Sequence, residues 1–272
     1  MSNKLKLWIL VILSVGMLLL AAIVPPIPQP PSYHHFADSR ACFGIPNCFN
    51  VISNLAFLLV GIAGLVFLLY SRGLLAAKAF TLPSERWPFV ILFLNVALVC
   101  IGSAYYHLAP DNDRLVWDRL PIAIGIMALL AAALNDRISP KAGTRLLPVL
   151  IAIGAGTVLN WHWSEQRGAG NLNFYIVVQF YSLLVIVLLG IFFPSRYTRG
   201  GDIYPALGLY ALAKVAEFTD RPIYALGHLI SGHTVKHLLA ACALYWVLRM
   251  IWKREVVRGT MEEAMLRPSG LP

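Results

Sequence analysis

Charged residues are scarce in this chain of 272 residues. They make up 13% of the sequence, whereas an ordinary soluble domain carries about a quarter. Hydrophobic residues account for 58%, and the mean hydropathy is +0.70. This shortage of charge excludes an ordinary soluble domain. Because several long runs carry no charge at all, the sequence predicts an all-α, polytopic bundle of transmembrane helices.

Acidic residues are scarcer than basic ones. The 13 Asp and Glu against 22 Lys and Arg give a formal net charge of +9. The basic residues are scattered through short loops and the C-terminal tail, which argues against a nucleic-acid partner and favours a role at the membrane surface. Cysteine is also rare, with four residues and no Cys-x2-Cys metal pattern. Cys42 and Cys48 share one loop, and their spacing leaves open whether they are bridged or unpaired.

Apolar runs divide the chain into eight predicted membrane helices. Leu7 to Val24 is eighteen residues without a charge, and no small-residue cleavage site follows it, so we expect an uncleaved helix. The other predicted spans are Asn50 to Tyr70, Pro88 to Leu108, Trp117 to about Leu134, Leu146 to about Asn160, Phe174 to Phe193, a shorter one from Ile203 to Phe218, and about His233 to Trp252. The sequence Trp161-His162-Trp163 at the end of the fifth span is typical of an interfacial aromatic belt.

These spans predict a single transmembrane domain with four parts. They are an extra N-terminal helix over residues 1–24, an outer loop over 25–49, a seven-helix core over 50–252 and a cytoplasmic tail over 253–272. With the N-terminus inside, the outer segments hold only Arg40, Arg114, Arg119, Arg167 and Arg221. The excess of Lys and Arg on the other side predicts that both termini are cytoplasmic.

Metal-capable and ionisable side chains at the ends of three predicted spans form the candidate site. Ser103 and His107 are four residues apart, as are His233 and His237, so each pair projects from one face of a helix. Three neutral imidazoles can hold a tetrahedral zinc and leave one position open for water, which is the pattern of a catalytic zinc site. Asp118 could accept the proton of that water. The predicted orientation puts all of these residues at the outer, periplasmic or exoplasmic side.

Simpler interpretations of the same residues remain open. The three histidines could be unrelated interfacial residues, and Asp118 could be the N-cap of its helix. Ser103 could bond back to its own helix instead of donating to a developing oxyanion. Lys214 and Glu217 are three residues apart, which favours an ion pair within one helix over contact with a lipid head group.

Taken in order, these motifs resemble the alkaline ceramidase family. The resemblance is carried by Ser103-x3-His107, by Asp118 eleven residues later followed by x-Leu-Pro, by His233-x3-His237, and by Asn50-Val51-Ile52-Ser53-Asn54-Leu55, which is similar to that family's Asn-Thr-Ile-Ser-Asn segment. It extends from about Asn47 to about Arg249. The family lies in a superfamily of heptahelical, zinc-dependent membrane hydrolases that also includes the progestin and adipoQ receptors.

The resemblance implies hydrolysis of ceramide to a sphingoid base and a free fatty acid. It implies zinc held by His107, His233 and His237, with Asp118 as the proton acceptor and Ser103 as an oxyanion donor. The acidic residues that bind calcium in eukaryotic members are missing from the loop of residues 25–48, where Asp38 is expected to pair with Arg40, so no calcium site is expected. The alternatives are a hydrolase of another N-acyl or ester lipid, and a receptor or scaffold with the same zinc site.

Overall fold

The computed structural model describes residues 1–70 and 78–257, and this part of the chain is all-α. Its helices are α1 (Asn3–Ile23), α2 (Cys48–Ile52), α3 (Leu55–Tyr70), α4 (Arg86–Leu108), α5 (Asn112–Arg137), α6 (Ala142–Gln166), α7 (Asn173–Ile176), α8 (Ser182–Phe192), α9 (Ile203–Phe218), α10 (Asp220–Ala225) and α11 (Gly232–Lys253). One π-helical turn, Val177–Tyr181, joins α7 to α8. Most of the predicted cytoplasmic tail, from residue 258 onward, lies outside the described residues.

The helices confirm the predicted polytopic membrane bundle. Within the described ranges, seven helical stretches are long and apolar enough to cross a membrane, and they are Asn3–Ile23, Cys48–Tyr70, Pro83–Leu108, Asn112–Arg137, Ala142–Gln166, Asn173–Phe192 and Gly232–Lys253. The predicted short span is present as α9, but its 16 residues extend only about 24 Å. That length falls short of a hydrocarbon core of about 30 Å.

Consecutive helices pack side by side and the bundle closes on itself. α3 packs on α4, α4 on α5, α5 on α6, and α9 on α11, which also returns to contact α3. The helix α1 lies at the edge against α7, the π-helical turn and α8, and only Leu10 and Ala21 of α1 are buried. The interior of the bundle therefore lies between two pairs of helices, α4 with α5 and α9 with α11.

The predicted start of the fourth span at Trp117 is wrong. The helix α5 begins at Asn112, because the Asp111 side chain accepts a hydrogen bond from Arg114 N at 2.7 Å and so caps the helix. Asp118 lies in the second turn of α5. The alternative that Asp118 is the N-cap is therefore wrong as well.

Two other predicted features differ in the structure. The second span is interrupted between α2 and α3, where Ser53 and Asn54 form a turn and the Asn54 side chain donates to Asn50 O at 2.7 Å. The expected aromatic belt at the end of α6 is only half present. Trp163 is exposed, but Trp161 is completely buried, because it faces the bundle interior rather than the membrane interface.

The loop that joins α1 to α2 is tied down at several points. Cys42 and Cys48 form a disulfide with their Cα atoms 5.6 Å apart, which answers the question that the sequence left open. Asp38 pairs with Arg40 at 2.7 Å, as expected. The loop residue Asn47 donates from its side chain to His107 O at 2.8 Å. These contacts hold the loop over the end of the bundle where His107 lies.

Candidate metal centre

Three buried histidines converge at one end of the bundle. His107 lies in the last turn of α4, and His233 and His237 lie in the first two turns of α11. Their exposed fractions are 1%, 4% and 2%, and the ring centroids lie 4.8 to 5.1 Å apart. The interpretation of three unrelated interfacial histidines is therefore wrong, because the rings form one cluster.

The geometry of the donor atoms suits a metal ion. The Nε2 atoms of His107 and His233 are 3.3 Å apart, and one ring nitrogen from each of the three histidines lies within 4.8 Å of the others. Two imidazole ligands of a tetrahedral zinc lie about 3.3 Å apart, since each Zn–N bond is about 2.0 to 2.1 Å. The cluster could hold a metal ion without moving its helices.

The tautomer of His237 leaves one nitrogen free for a metal. When the Ser53 hydroxyl donates to Asn50 O, 3.2 Å away, it accepts from His237 Nδ1, which lies 2.8 Å away. The His237 Nε2 atom then carries a lone pair, and it is buried without a hydrogen-bond partner. Because buried polar atoms are almost always paired, this nitrogen is where a ligand is expected.

Further polar contacts fix the N-terminus of α11. Ser231 caps the helix by accepting from Thr234 N at 3.2 Å. The Asp220 carboxylate accepts from His233 N and from Ala37 N, each at 2.8 Å. Asp220 thus ties the loop between α1 and α2 to the second histidine pair. No local pattern predicts this role, because the partners of Asp220 are backbone amides distant in the chain.

Two glycines allow the close approaches that build the site. A Cβ atom at Gly102 would lie 2.0 Å from Trp117 O, so α4 and α5 touch backbone to backbone beside Ser103 and Asp118. A Cβ atom at Gly232 would lie 2.2 Å from Ala216 O, so the start of α11 rests on the end of α9. A larger residue at either position would separate the helices that carry the site.

Asp118 and Ser103 lie together near the histidines. Both are buried, with Asp118 6% exposed, and the Ser103 hydroxyl lies beside the Asp118 carboxylate. Ser103 is one turn before His107 on α4. Asp118 and His237 line the same cavity. The spacing in the sequence thus predicted a grouping that the fold brings together.

The loop between α1 and α2 covers the histidines. The Phe36 ring packs against His107 and His233, with centroid distances of 4.6 and 4.5 Å. His34 lies 2.9 Å from the Tyr106 hydroxyl and 3.0 Å from Asn112 Oδ1. Burial lowers the pKa of His34, so the neutral ring can accept from Tyr106 and donate to Asn112. His34 is half-buried and helps to fasten the loop.

A cavity of about 640 Å³ extends from the site into the bundle interior. Its walls are mostly apolar and include Leu92, Val96 and Ile126. The charged side chains in its lining are Asp118, Arg119, Lys214, Glu217 and Lys236, and with Tyr33, which donates to Glu217, they form what we call its polar end. The volume lies within the range of small-molecule sites, roughly 300 to 1,000 Å³.

Glu217 is the centre of a charge network at this polar end. It pairs with Lys214, as the sequence predicted, and it also accepts from Lys236 Nζ at 3.0 Å and from the Tyr33 hydroxyl at 3.2 Å. Lys236 Nζ also lies 3.2 Å from His233 Nε2. An ammonium group this close to His233 Nε2 competes with a metal ion for the same lone pair. The ion pair with Glu217 therefore favours metal binding, because it draws the ammonium group to the carboxylate.

Comparisons of the chain with models of protein families, with curated proteins and with solved structures find no match. The family resemblance thus rests on the motifs in the sequence. A functional assignment rests on those motifs together with the histidine cluster, Asp118 and the cavity.

Proposed function

We propose that this protein is a zinc-dependent hydrolase of membrane lipid amides. The substrate that the sequence resemblance implies is ceramide, which would be cleaved to a sphingoid base and a free fatty acid. The observation that carries the proposal is the convergence of three buried imidazoles, one of which, His237, lines the same apolar cavity as the Asp118 carboxylate. A purely structural metal would need neither the carboxylate nor the cavity.

The donor set supports zinc as the metal. The donors are neutral nitrogens from His107, His233 and His237, which leave a tetrahedral ion one open position. Zinc bound in this way supplies Lewis acidity and makes a water molecule acidic enough to act as a nucleophile near neutral pH.

The residues beside the histidines have roles that follow from their chemistry. Asp118 would take the proton of the attacking water and return it to the nitrogen of the leaving amine, a contribution of about 10² to 10⁴ in rate. The Ser103 hydroxyl would donate to the oxygen of the scissile carbonyl as negative charge develops there. The covering loop and the apolar walls would exclude bulk water and strengthen both interactions.

The cavity supports a lipid as the substrate. A hydrocarbon chain would lie against the apolar walls, such as those formed by Leu92 and Ile126, and the amide would lie at the polar end near Asp118. We further propose that this end faces the periplasmic or exoplasmic side with both termini in the cytoplasm, which the distribution of Lys and Arg supports.

Replacement of the proposed base tests the function directly. Asp118→Asn keeps the size of the side chain and removes its basicity, so we expect a rate lower by about 10² to 10⁴ with about one zinc per chain retained. The measurement is the release of fatty acid from ceramide in detergent micelles, with zinc quantified on the same sample. Asp113→Asn is the matched control, since this carboxylate lies on the same helix and its side chain is 80% exposed.

Three outcomes would contradict parts of the proposal. Unchanged turnover in Asp118→Asn would reject the role of Asp118 as general base. Loss of zinc together with activity would assign Asp118 to the metal or its immediate support. Absence of fatty-acid release from any N-acyl lipid by the zinc-loaded wild type would reject the hydrolase.

A further inference from the structure

A buried arginine lines the cavity without an acidic partner. Arg119 follows Asp118 on α5 and is 5% exposed. Its Nη2 donates to Gln29 Oε1 at 2.5 Å, while its Nη1 is buried and has no hydrogen-bond partner. Across residues 1–70 and 78–257 it forms no ion pair, although Lys214 and Lys236, which are only partly buried, are both paired. A guanidinium group in this position still has donors to offer.

The surroundings of Arg119 hold its charge but do not satisfy its hydrogen bonds. The guanidinium lies 4.3 Å from the ring centre of Trp161, 4.9 Å from that of Tyr175 and 5.4 Å from that of Tyr33. Aromatic faces attract a cation but accept no strong N–H bond, and although the Tyr33 hydroxyl lies close enough to accept from the guanidinium, Nη1 remains without a partner. The nearby Glu165 is occupied, since it accepts from Trp161 Nε1 at 3.0 Å and from Gln29 N at 2.6 Å. The side chains around Arg119 are therefore held by their own contacts, and none of them accepts from Nη1.

The charges at the polar end of the cavity leave one cation in excess. Three cations, Arg119, Lys214 and Lys236, face two carboxylates, Asp118 and Glu217. Glu217 is shared by the two lysines, and Asp118 has the proposed role of base. Arg119 is therefore the cation that no carboxylate in the cavity neutralises. Guanidinium groups bind carboxylate and phosphate oxygens strongly and with defined geometry.

We infer that Arg119 binds an anionic oxygen group, a carboxylate or a phosphate, on the lipid that occupies this cavity. This inference rests on the proposed hydrolase and narrows its substrate class from N-acyl lipids in general to acidic ones. A neutral ceramide would leave the Arg119 donors unpaired, whereas an amide whose amine part carries a carboxylate or a phosphate would complete them. Arg119 acts here in substrate recognition and takes no part in proton transfer.

Equilibrium binding tests the anion site without any need for turnover. Radiolabelled oleate and oleyl alcohol share a chain length and differ in the charged group, and each is titrated into wild type, Arg119→Met and Arg119→Lys in detergent micelles. We expect the wild type to bind oleate at least about 10-fold more tightly than the alcohol, as a charge-assisted hydrogen bond allows. We expect Arg119→Met to lose this preference and Arg119→Lys to keep part of it.

The matched control for the binding test is Arg221→Met. Arg221 is exposed on α10, beside Asp220, so its loss removes one positive charge at the same end of the bundle without touching the cavity. Its preference for oleate should equal that of the wild type. Equal binding of oleate and oleyl alcohol by the wild type would overturn the inference, as would an unchanged preference in a folded Arg119→Met. If Arg119→Met does not fold, the neutral and polar Arg119→Gln takes its place, and an unchanged preference in that variant has the same meaning.

Turnover of paired amides then separates this inference from the proposed function. N-oleoylglycine is compared with N-oleoylethanolamine for the carboxylate, and ceramide 1-phosphate with ceramide for the phosphate. We expect a kcat/KM about 10-fold higher for the acidic member of at least one pair, lost in Arg119→Met, while the neutral amides change less than about 3-fold. Equal rates within both pairs would overturn the substrate class and leave the hydrolase intact. Absence of turnover for all four amides would reject the hydrolase, and the binding test would still decide the role of Arg119.

Discussion

The contact at Gly102 offers the sharpest test of how the fold builds the site. A Cβ atom there would lie 2.0 Å from Trp117 O and 2.6 Å from Trp117 C, whereas ordinary contacts begin at 3.4 Å. In Gly102→Ala the two backbones must therefore separate by about 1.4 Å. Both sides of the contact are backbone within a helix, so no side chain can rotate away to relieve it.

The size of the effect follows from this separation. Helix propensity alone would favour Ala over Gly by about 1 kcal/mol, whereas overpacking costs about 1 to 3 kcal/mol, so we expect a small net loss of stability. The effect on activity should be larger. Gly102 directly precedes Ser103 and Trp117 directly precedes Asp118, and a displacement of about 1 Å at reacting groups can reduce a rate about 100-fold.

The zinc content should change much less than the rate. The three histidines lie on α4 and α11, and their cluster does not cross the contact between α4 and α5. We therefore expect Gly102→Ala to retain most of its zinc while fatty-acid release falls by about two powers of ten.

A second glycine between the same two helices supplies the control. A Cβ atom at Gly125 would lie 3.7 Å from Leu92 Cδ1 and 3.8 Å from Asn95 Cβ, which are ordinary contacts. Gly125 also lines the cavity, but one methyl group fills little of its volume of about 640 Å³, so Gly125→Ala should keep its rate within about 3-fold. The assay is fatty-acid release with zinc content and thermal unfolding on the same preparations. Full activity in Gly102→Ala, or equal losses in the two variants, would refute this account of the site.

Three further predictions concern the metal and the topology. His237→Ala should remove most of the zinc, which metal analysis measures, and full occupancy in a variant lacking both His233 and His237 would reject the ligand assignment. Glu217→Gln should weaken zinc binding about 10- to 100-fold, because it frees the Lys236 ammonium beside His233 Nε2. Adding Lys236→Met to the same chain should restore the affinity for zinc, which is measured by competition with a chelator. Unrestored affinity would contradict that charge network. Asp113→Cys should react with a membrane-impermeant thiol reagent in intact cells, and reaction only after permeabilisation would reverse the proposed orientation.

Hydropathy predicted the helices well because membrane spans are recognisable from composition alone. It failed where a helix continues through polar residues. The start of α5 at Asn112 depends on one side chain, Asp111, and a window that averages hydropathy assigns these polar residues to a loop. The turn at Ser53 was missed for the opposite reason, since the residues around it are apolar enough to resemble an unbroken span.

The candidate site was predictable where it depends on spacing within a helix. The i and i+4 pairs around His107 and His237 follow from helix geometry. The neighbours of Arg119 do not, because Gln29 and Trp161 reach it from distant parts of the chain. The approach of Lys236 to Glu217 likewise depends on how α11 packs on α9, and no local pattern encodes that packing.

The ring of Phe36, packed over two of the histidines, has a consequence for how affinity should be measured. With the loop fastened over this end of the bundle, a lipid that binds as proposed would reach the cavity after it has dissolved in the membrane or micelle. The affinity observed in bulk solution is then the product of a partition coefficient and an intrinsic affinity within the membrane. Each methylene added to the acyl chain raises the first factor by about 0.8 kcal/mol, or about fourfold, even if it touches no residue of the protein. Chain-length preferences at this site are therefore meaningful only when the lipid is expressed as a mole fraction of the membrane or micelle.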